Sequence, residues 1–176
     1  MPRMEEEEAR RRFTGARVAR LGTVDPGGRP HLVPVVFAHH DDDRIVMAVD
    51  WKPKSSQRLK RLHNIAVHPA VCLLVDSYDE DWDRLWWARA DGGARTIPPD
   101  ASADQDRIDY EAAIALLRRK YPQYRDNPPE GAVIVVTVRQ WSGWRSAAEP
   151  ERAGQEERAV PRRHDDPGGS HEQADT

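Results

Sequence analysis

The chain has one cysteine, Cys72, among 176 residues, which excludes an intrachain disulfide and any metal site built from several thiolates. Cys72 stands inside the apolar run Val71 to Val75, where a small buried hydrophobe is the expected role. No apolar run approaches the ~20 residues of a membrane-crossing helix. The amino-terminal MPRMEEEEARRRF lacks the apolar core of a signal peptide. The expectation is a soluble, cytoplasmic protein with no membrane partner. A strong excess of one charge is also missing: 27 Lys and Arg against 30 Asp and Glu leave a net −3. That balance argues against a general nucleic-acid or anionic-membrane binder. Residues 146–176 contain no Leu, Ile, Met or aromatic residue, and hold eight acids against four bases. Such a segment cannot bury enough apolar surface to offset its ordering entropy. It is expected to be a disordered polar tail behind one folded domain, residues 1–145.

Signatures of several chemistries are absent as well. The seven histidines show no metal-ligand spacing, there is no HExxH, and Cys72 has no thiol partner, so no metal site is expected. The acidic group Asp79, Glu80, Asp81 and Asp83 lacks the glycine and terminal glutamate of a calcium loop and reads as a solvated turn. No Gly-x-Ser-x-Gly elbow occurs, and no βαβ alternation carries a glycine-rich phosphate loop. No catalytic side chain is singled out.

What is present is β-rich. Runs at 16–24, 30–37 and 44–49 are separated by DPGG and HHDDD, which are turn sequences, and predict a three-stranded antiparallel meander. Pro30 and Pro34 lack an amide donor and point to a strand end, an edge or a bulge. Further strands are expected at 71–78, 84–97 and 132–141. Glu5 to Glu8 face Arg10 to Arg12 at i,i+4 spacing, which predicts a short exposed helix. Leu59, Leu62 and Ile65 mark a second helix, capped at Ser55 or Ser56 and ended by Asn64 and Pro69. Tyr110, Ile114, Leu117 and Tyr121 form the stripe of a third helix over 107–121, widened by Ile108, Ala112, Ala115 and Leu116. The pattern is mainly β with peripheral helices: a small six-stranded antiparallel barrel.

Lys52, Lys54, Arg58, Lys60 and Arg61 crowd into ten positions. Lys52 and Lys54 directly precede Ser55 and Ser56, where the first helical turn offers free amides and the positive end of its dipole. Ammonium groups, hydroxyls and amides together make a phosphate site, and Pro53 limits the freedom of the loop. Arg58, Lys60 and Arg61 could extend that site or merely solvate a helix face. Six tryptophans are many for this length. Trp86 and Trp87 read as core or interface, and Gly143 in WSGW would let a flat ligand approach the backbone. A phosphate clamp with aromatics suits a planar, nucleotide-like cofactor; single-stranded nucleic acid would also stack there, but the acidic balance opposes it.

The strings ARVARLGTVDPGGRPHLVPVVF, WKPKSSQRLKRLHNIAVHPAVCLLVDSYDEDWDRLWWARADGGAR, YPQYRDNPPEG and RQWSGW follow one another across about residues 13–145. They resemble the pyridoxamine 5′-phosphate oxidase-like split-barrel proteins, and within them the actinobacterial members that use the deazaflavin coenzyme F420. The resemblance implies a homodimeric split β-barrel of the FMN-binding type, with cofactor sites between the subunits. It implies that Pro34, Val35 and Val36 run along the deazaflavin ring. Asp50, Lys52, Pro53, Lys54, Ser55, Ser56 and Arg58 would hold the ribityl chain and phosphate. Lys60 would reach toward the oligoglutamate tail, and Trp141 and Trp144 of the second subunit would cover the site. The implied activity is hydride transfer between F420 and a small planar acceptor. An FMN-binding oxidoreductase of the same fold and a non-catalytic cofactor-binding protein are the alternatives.

Overall fold

The protein's computed structural model describes residues 3–40, 43–49 and 57–146, without the side chains of residues 57–59. Its elements are α1 (Glu6–Gly15), β1 (Val18–Val24), β2 (Pro30–Val36), β3 (Ala38–His40), β4 (Arg44–Ala48), α2 (Gln57–Val67), β5 (Ala70–Ser77), β6 (Trp86–Ile97), α3 (Asp104–Lys120), α4 (Gln123–Asp126) and β7 (Val133–Arg145). A short 3-10 turn, Trp82–Arg84, precedes β6.

The strands form one antiparallel sheet in the order β2-β1-β5-β6-β7-β4-β3. Its two end strands, β2 and β3, are consecutive in the chain and separated only by Phe37. The sheet must therefore curl until its ends meet, which makes a half-open barrel. Seven strands replace the six expected, because Ala38–His40, which lies beyond the run 30–37 and overlaps the expected turn HHDDD, forms a strand of its own after the break at Phe37. The expected meander is corrected at the same point. β2 ladders with β1, while the run at 44–48 pairs with β3 and β7 instead. The divide has a specific cause. The Tyr121 hydroxyl accepts the Phe37 amide at 3.1 Å and lies 2.7 Å from the carbonyls of both Phe37 and Arg17. It takes the place of a neighbouring strand at the residue where the chain changes partners.

Alternation sorts the apolar residues into two cores. Leu21, Ile45, Met47, Leu73, Val75, Ala88, Ala90, Ile134 and Val136 fill the barrel. Val46, Ile97, Val133 and Val135 face outward and pack on Ala113, Leu117 and Tyr121 near and along α3. Covering on both faces explains why Val133–Val136 reads as an unbroken apolar run. Cys72 falls on the outward side of β5, half-buried, and is not the sealed core residue expected. The turn after β1 forms as its sequence predicts: Asp25 Oδ1 accepts the amides of Gly27 and Arg29 at 2.9 Å, and Gly28 takes φ +80°.

α1 is not simply exposed. Ala9 and Phe13 are fully buried in the barrel core, where the Phe13 ring lies 5.0 Å from Phe37 and 5.2 Å from Trp141. Glu8 and Arg12 pair on its outer side at 2.9 Å. The third helix begins at Asp104, earlier than expected, and its Ile108 is exposed rather than part of the stripe. Asp109 is buried instead, held by Arg44 at 3.3 Å, Gln105 at 3.0 Å and Arg95. Among the described residues no helix is long and apolar enough to cross a membrane.

Candidate functional site

Two residues before Ala38, the β2 chain passes beside the end of β4, and α2 closes the third side. Pro34, Val35 and Val36, with Val18, Ala48 and Arg61, line an open groove of about 330 Å³. The register explains the meeting: Ala38 opposes Val46, so the same alignment carried backward sets Val36 near Ala48. Pro34 belongs to the end strand of the sheet order, where a missing amide is tolerated. The groove floor is aliphatic, and among the described residues its one charge is the Arg61 guanidinium.

α2 is held at that wall by burial and by one polar chain. Ile65 is buried and Leu62 packs against the barrel core. Asn64, fully buried, donates from Nδ2 to Thr23 Oγ1 at 3.0 Å. The Thr23 hydroxyl in turn lies 3.5 Å from His31 Nδ1 and from the His31 carbonyl. Asn64 therefore does not end the helix, which runs on to Val67; it fixes the helix to β1 and β2.

Of the residues named from the sequence, Pro34, Val35 and Val36 come together in the groove. Asp50, Lys52, Pro53, Lys54, Ser55 and Ser56 lie outside the described residues, as does the side chain of Arg58. The chain leaves the described region at Val49, next to groove residue Ala48, and rejoins it at Gln57. Lys60 is exposed and does not line the groove; Arg61 does. Arg61 was not singled out from its neighbours in the sequence, although the signal existed. On a helical wheel it flanks Leu62 and Ile65, whereas Lys60 points away from them.

Trp141 and Trp144, expected to act together, lie three positions apart on β7 and so on opposite faces. Trp141 is 6% exposed, packs on Phe13 and His39, and donates from Nε1 to Asp43 at 3.2 Å. It is a core residue of this chain. Trp144 faces outward beside Trp87, Arg89 and Ser142. Gly143 does permit a close approach, but by the chain itself: a Cβ there would stand 2.9 Å from Met4 Sδ and 3.2 Å from the Ala9 Cβ. The polar residues of the acidic turn are engaged locally, with Asp79 and Asp81 accepting the amides of Asp81 and Asp83 at 3.0 and 3.1 Å. Among the described residues no three His, Cys, Asp or Glu side chains gather as metal ligands.

The family model described as pyridoxamine 5′-phosphate oxidase matches residues 5–145. A FAD-binding protein from Mesorhizobium loti superposes with a TM-score of 0.61 at 18% identity, over 81% of this chain and 95% of that one. The FAD-binding protein from Mycobacterium smegmatis gives 0.55 at 16% identity, over 82% and 98%. The haem-storage protein HutZ from Vibrio cholerae gives 0.58 at 15%, over 81% and 95%. Likenesses at these identities establish a shared curled antiparallel half-barrel with helices.

Proposed function

The chain belongs to the pyridoxamine 5′-phosphate oxidase family, and from that premise we propose that it is an F420-dependent oxidoreductase acting as a homodimer. The observation that carries the proposal is the groove. An aliphatic floor of Pro34, Val35, Val36, Val18 and Ala48, with Arg61 at its wall, suits one face of a flat, anionic cofactor. In the sequence, Lys52, Lys54, Ser55 and Ser56 fall between groove residue Ala48 and the helix α2 that carries Arg61. In this reading those residues, with Asp50, Pro53 and Arg58, bind the ribityl phosphate, and Lys60 and Arg61 attract the acidic tail.

Bound deazaflavin supplies hydride chemistry, so the protein's work is to bind, orient and exclude water. β2 presents a stiff surface, since its end at Phe37 is pinned by Tyr121. α2 sets the height of the wall through the Asn64–Thr23 contact. Among the described residues, Arg61 is the ionisable group that lines the groove. A second copy is expected on the outward face of β1 and β2. There Leu32 is 67% and Val18 45% exposed, and two copies would bury both.

FMN in the same groove is the second reading, favoured by the shared ribityl phosphate and by the flavin-binding relatives. Titration of purified protein with F420 and with FMN, read by absorbance and fluorescence, separates the two. The Lys52→Ala/Lys54→Ala variant is expected to weaken F420 binding at least tenfold with an unchanged thermal unfolding curve, and sedimentation is expected to give a dimer. Tight FMN binding without F420 binding, or unchanged affinity in the double variant, would overturn the proposal. F420 binding with no turnover across a panel of quinone and enone acceptors would make the chain a binding protein.

A further inference from the structure

On the outer face of β6 and β7, away from the groove residues, the register sets Trp87 opposite Trp144, Arg89 opposite Ser142, and Asp91 opposite Gln140. Cross-strand partners on one face are near neighbours, so two indoles stand side by side next to a polar row. With Arg3 from the amino-terminal segment, which bridges to Trp144, these residues surround a hollow of about 350 Å³. That is enough for a bicyclic aromatic ring and falls at the small end of ligand sites.

The polar groups of the hollow share one deficiency. Ser142 is 8% exposed, and its Oγ is buried without a hydrogen-bond partner. Trp144 Nε1 is buried and equally without one. An indole N–H can only donate, and a serine hydroxyl can donate, so an acceptor would satisfy both. Native folds rarely leave such groups unpaired. The charges agree in sign. Arg89 spends its Nε on Asp91 at 2.8 Å, and Arg3 brings a second guanidinium to the rim of the hollow. Two guanidiniums against one carboxylate leave a single positive charge.

We propose that this hollow binds a small planar aromatic anion, its ring along Trp87 and Trp144 and its carboxylate or other oxyanion toward Arg3, Arg89 and the two orphan donors. The ring gains apolar burial against the indoles, and the oxyanion supplies acceptors that the fold itself lacks. The Ser142 and Trp144 donors are sealed while the hollow is empty, so side chains around it must shift as the oxyanion enters, a motion within the ordinary freedom of surface residues. The site requires neither F420 nor hydride transfer.

The test uses the full chain with 2-naphthoate as probe and the neutral 2-naphthylmethanol as its control, followed by calorimetry and tryptophan fluorescence. One naphthoate per chain is expected, at least tenfold tighter than the alcohol. Trp144→Phe keeps a ring and removes the N–H, Ser142→Ala removes the hydroxyl, and Arg89→Gln removes one charge. Each is expected to weaken naphthoate severalfold or more while leaving alcohol binding within twofold. Removing an unsatisfied donor leaves thermal unfolding unchanged or raised, so lost binding would not report misfolding. The Lys52→Ala/Lys54→Ala variant is expected to bind naphthoate normally, which separates this site from the cofactor groove. Equal affinity for acid and alcohol, binding indifferent to all three substitutions, or no binding at all would overturn the proposal. So would substitutions that dissociate the dimer without touching naphthoate affinity, since the hollow would then belong to the second copy.

Discussion

Tyr121→Phe removes one oxygen atom, and its consequence can be worked from the contacts at Phe37. Tyr121 is 4% exposed and Phe37 fully buried, so water cannot replace what is lost. The hydroxyl accepts the Phe37 amide and donates its one proton to the carbonyl of Phe37 or of Arg17. Orphaning the buried amide costs about 1–3 kcal/mol, and the donated bond adds about 0.5–1.5, so the substitution is expected to destabilise by roughly 2–4 kcal/mol. For a chain of this size that corresponds to a fall of about 6–12 °C in Tm. Urea unfolding followed by tryptophan fluorescence, with a thermal scan, measures both. Tyr110→Phe is the control: that hydroxyl makes a single bond to the Gly131 carbonyl at 3.1 Å from a half-buried site, and its loss is expected to cost about 1 kcal/mol. If Tyr121→Phe costs no more than Tyr110→Phe, the claim that this hydroxyl holds the junction of β2 and β3 is wrong. Loosening the junction is also expected to weaken cofactor binding, because Val36, the groove residue before Phe37, loses its fixed position.

Two other perturbations test the packing around the barrel. Lys120 donates to the carbonyls of Thr14 and Ala16 at 3.3 and 2.7 Å and sits 3.9 Å over the Phe37 ring. Burial, then the Arg17 charge, push its amine down to about 8. The unfolded chain, with Lys near ~10.4, therefore binds more protons between these values, and Lys120 makes stability rise with pH from about 8 toward 10. Urea midpoints at stepped pH should show that rise in the parent and lose it in Lys120→Met; parallel profiles would refute the assignment. Asp109→Asn should destabilise by about 1–3 kcal/mol, discounted from a fully buried pair because its arginines are part-exposed. Asp104→Asn, which breaks the exposed Arg107–Asp104 pair, should change little, and equal urea midpoints for the two variants would contradict this reading.

Much of the architecture was legible because strands and helices impose periods. The turn at Asp25–Gly28, the third helix, and the strands of the second half follow from alternation and turn chemistry acting over a few residues. The separate strand Ala38–His40 was not, because the chain changes partners at Phe37, where it is held by a hydroxyl 84 residues away. The burial of Trp141 was also hidden: its neighbours Phe13 and His39 come from α1 and β3, and an aromatic in the sequence carries no mark of which face it will occupy. Arg61 could have been separated from Lys60 by helical phase, but only once the helix's buried side had been placed.

The sequence by itself determined the mainly β composition, the family to which the strings conform, and that Pro30 and Pro34 stand at a strand end, an edge or a bulge. These depend on backbone donors, side-chain periods and turn residues, all of which act locally. Only the tertiary structure decided that β2 and β3 are two ends of one curled sheet, that α1 plugs its interior, and that Pro34–Val36 meet Arg61. It alone also brought Trp87 and Trp144 together over two unsatisfied donors. The reason is physical: those pairings join residues far apart in the chain, and their energy exists only after the closure of long loops has brought them into contact.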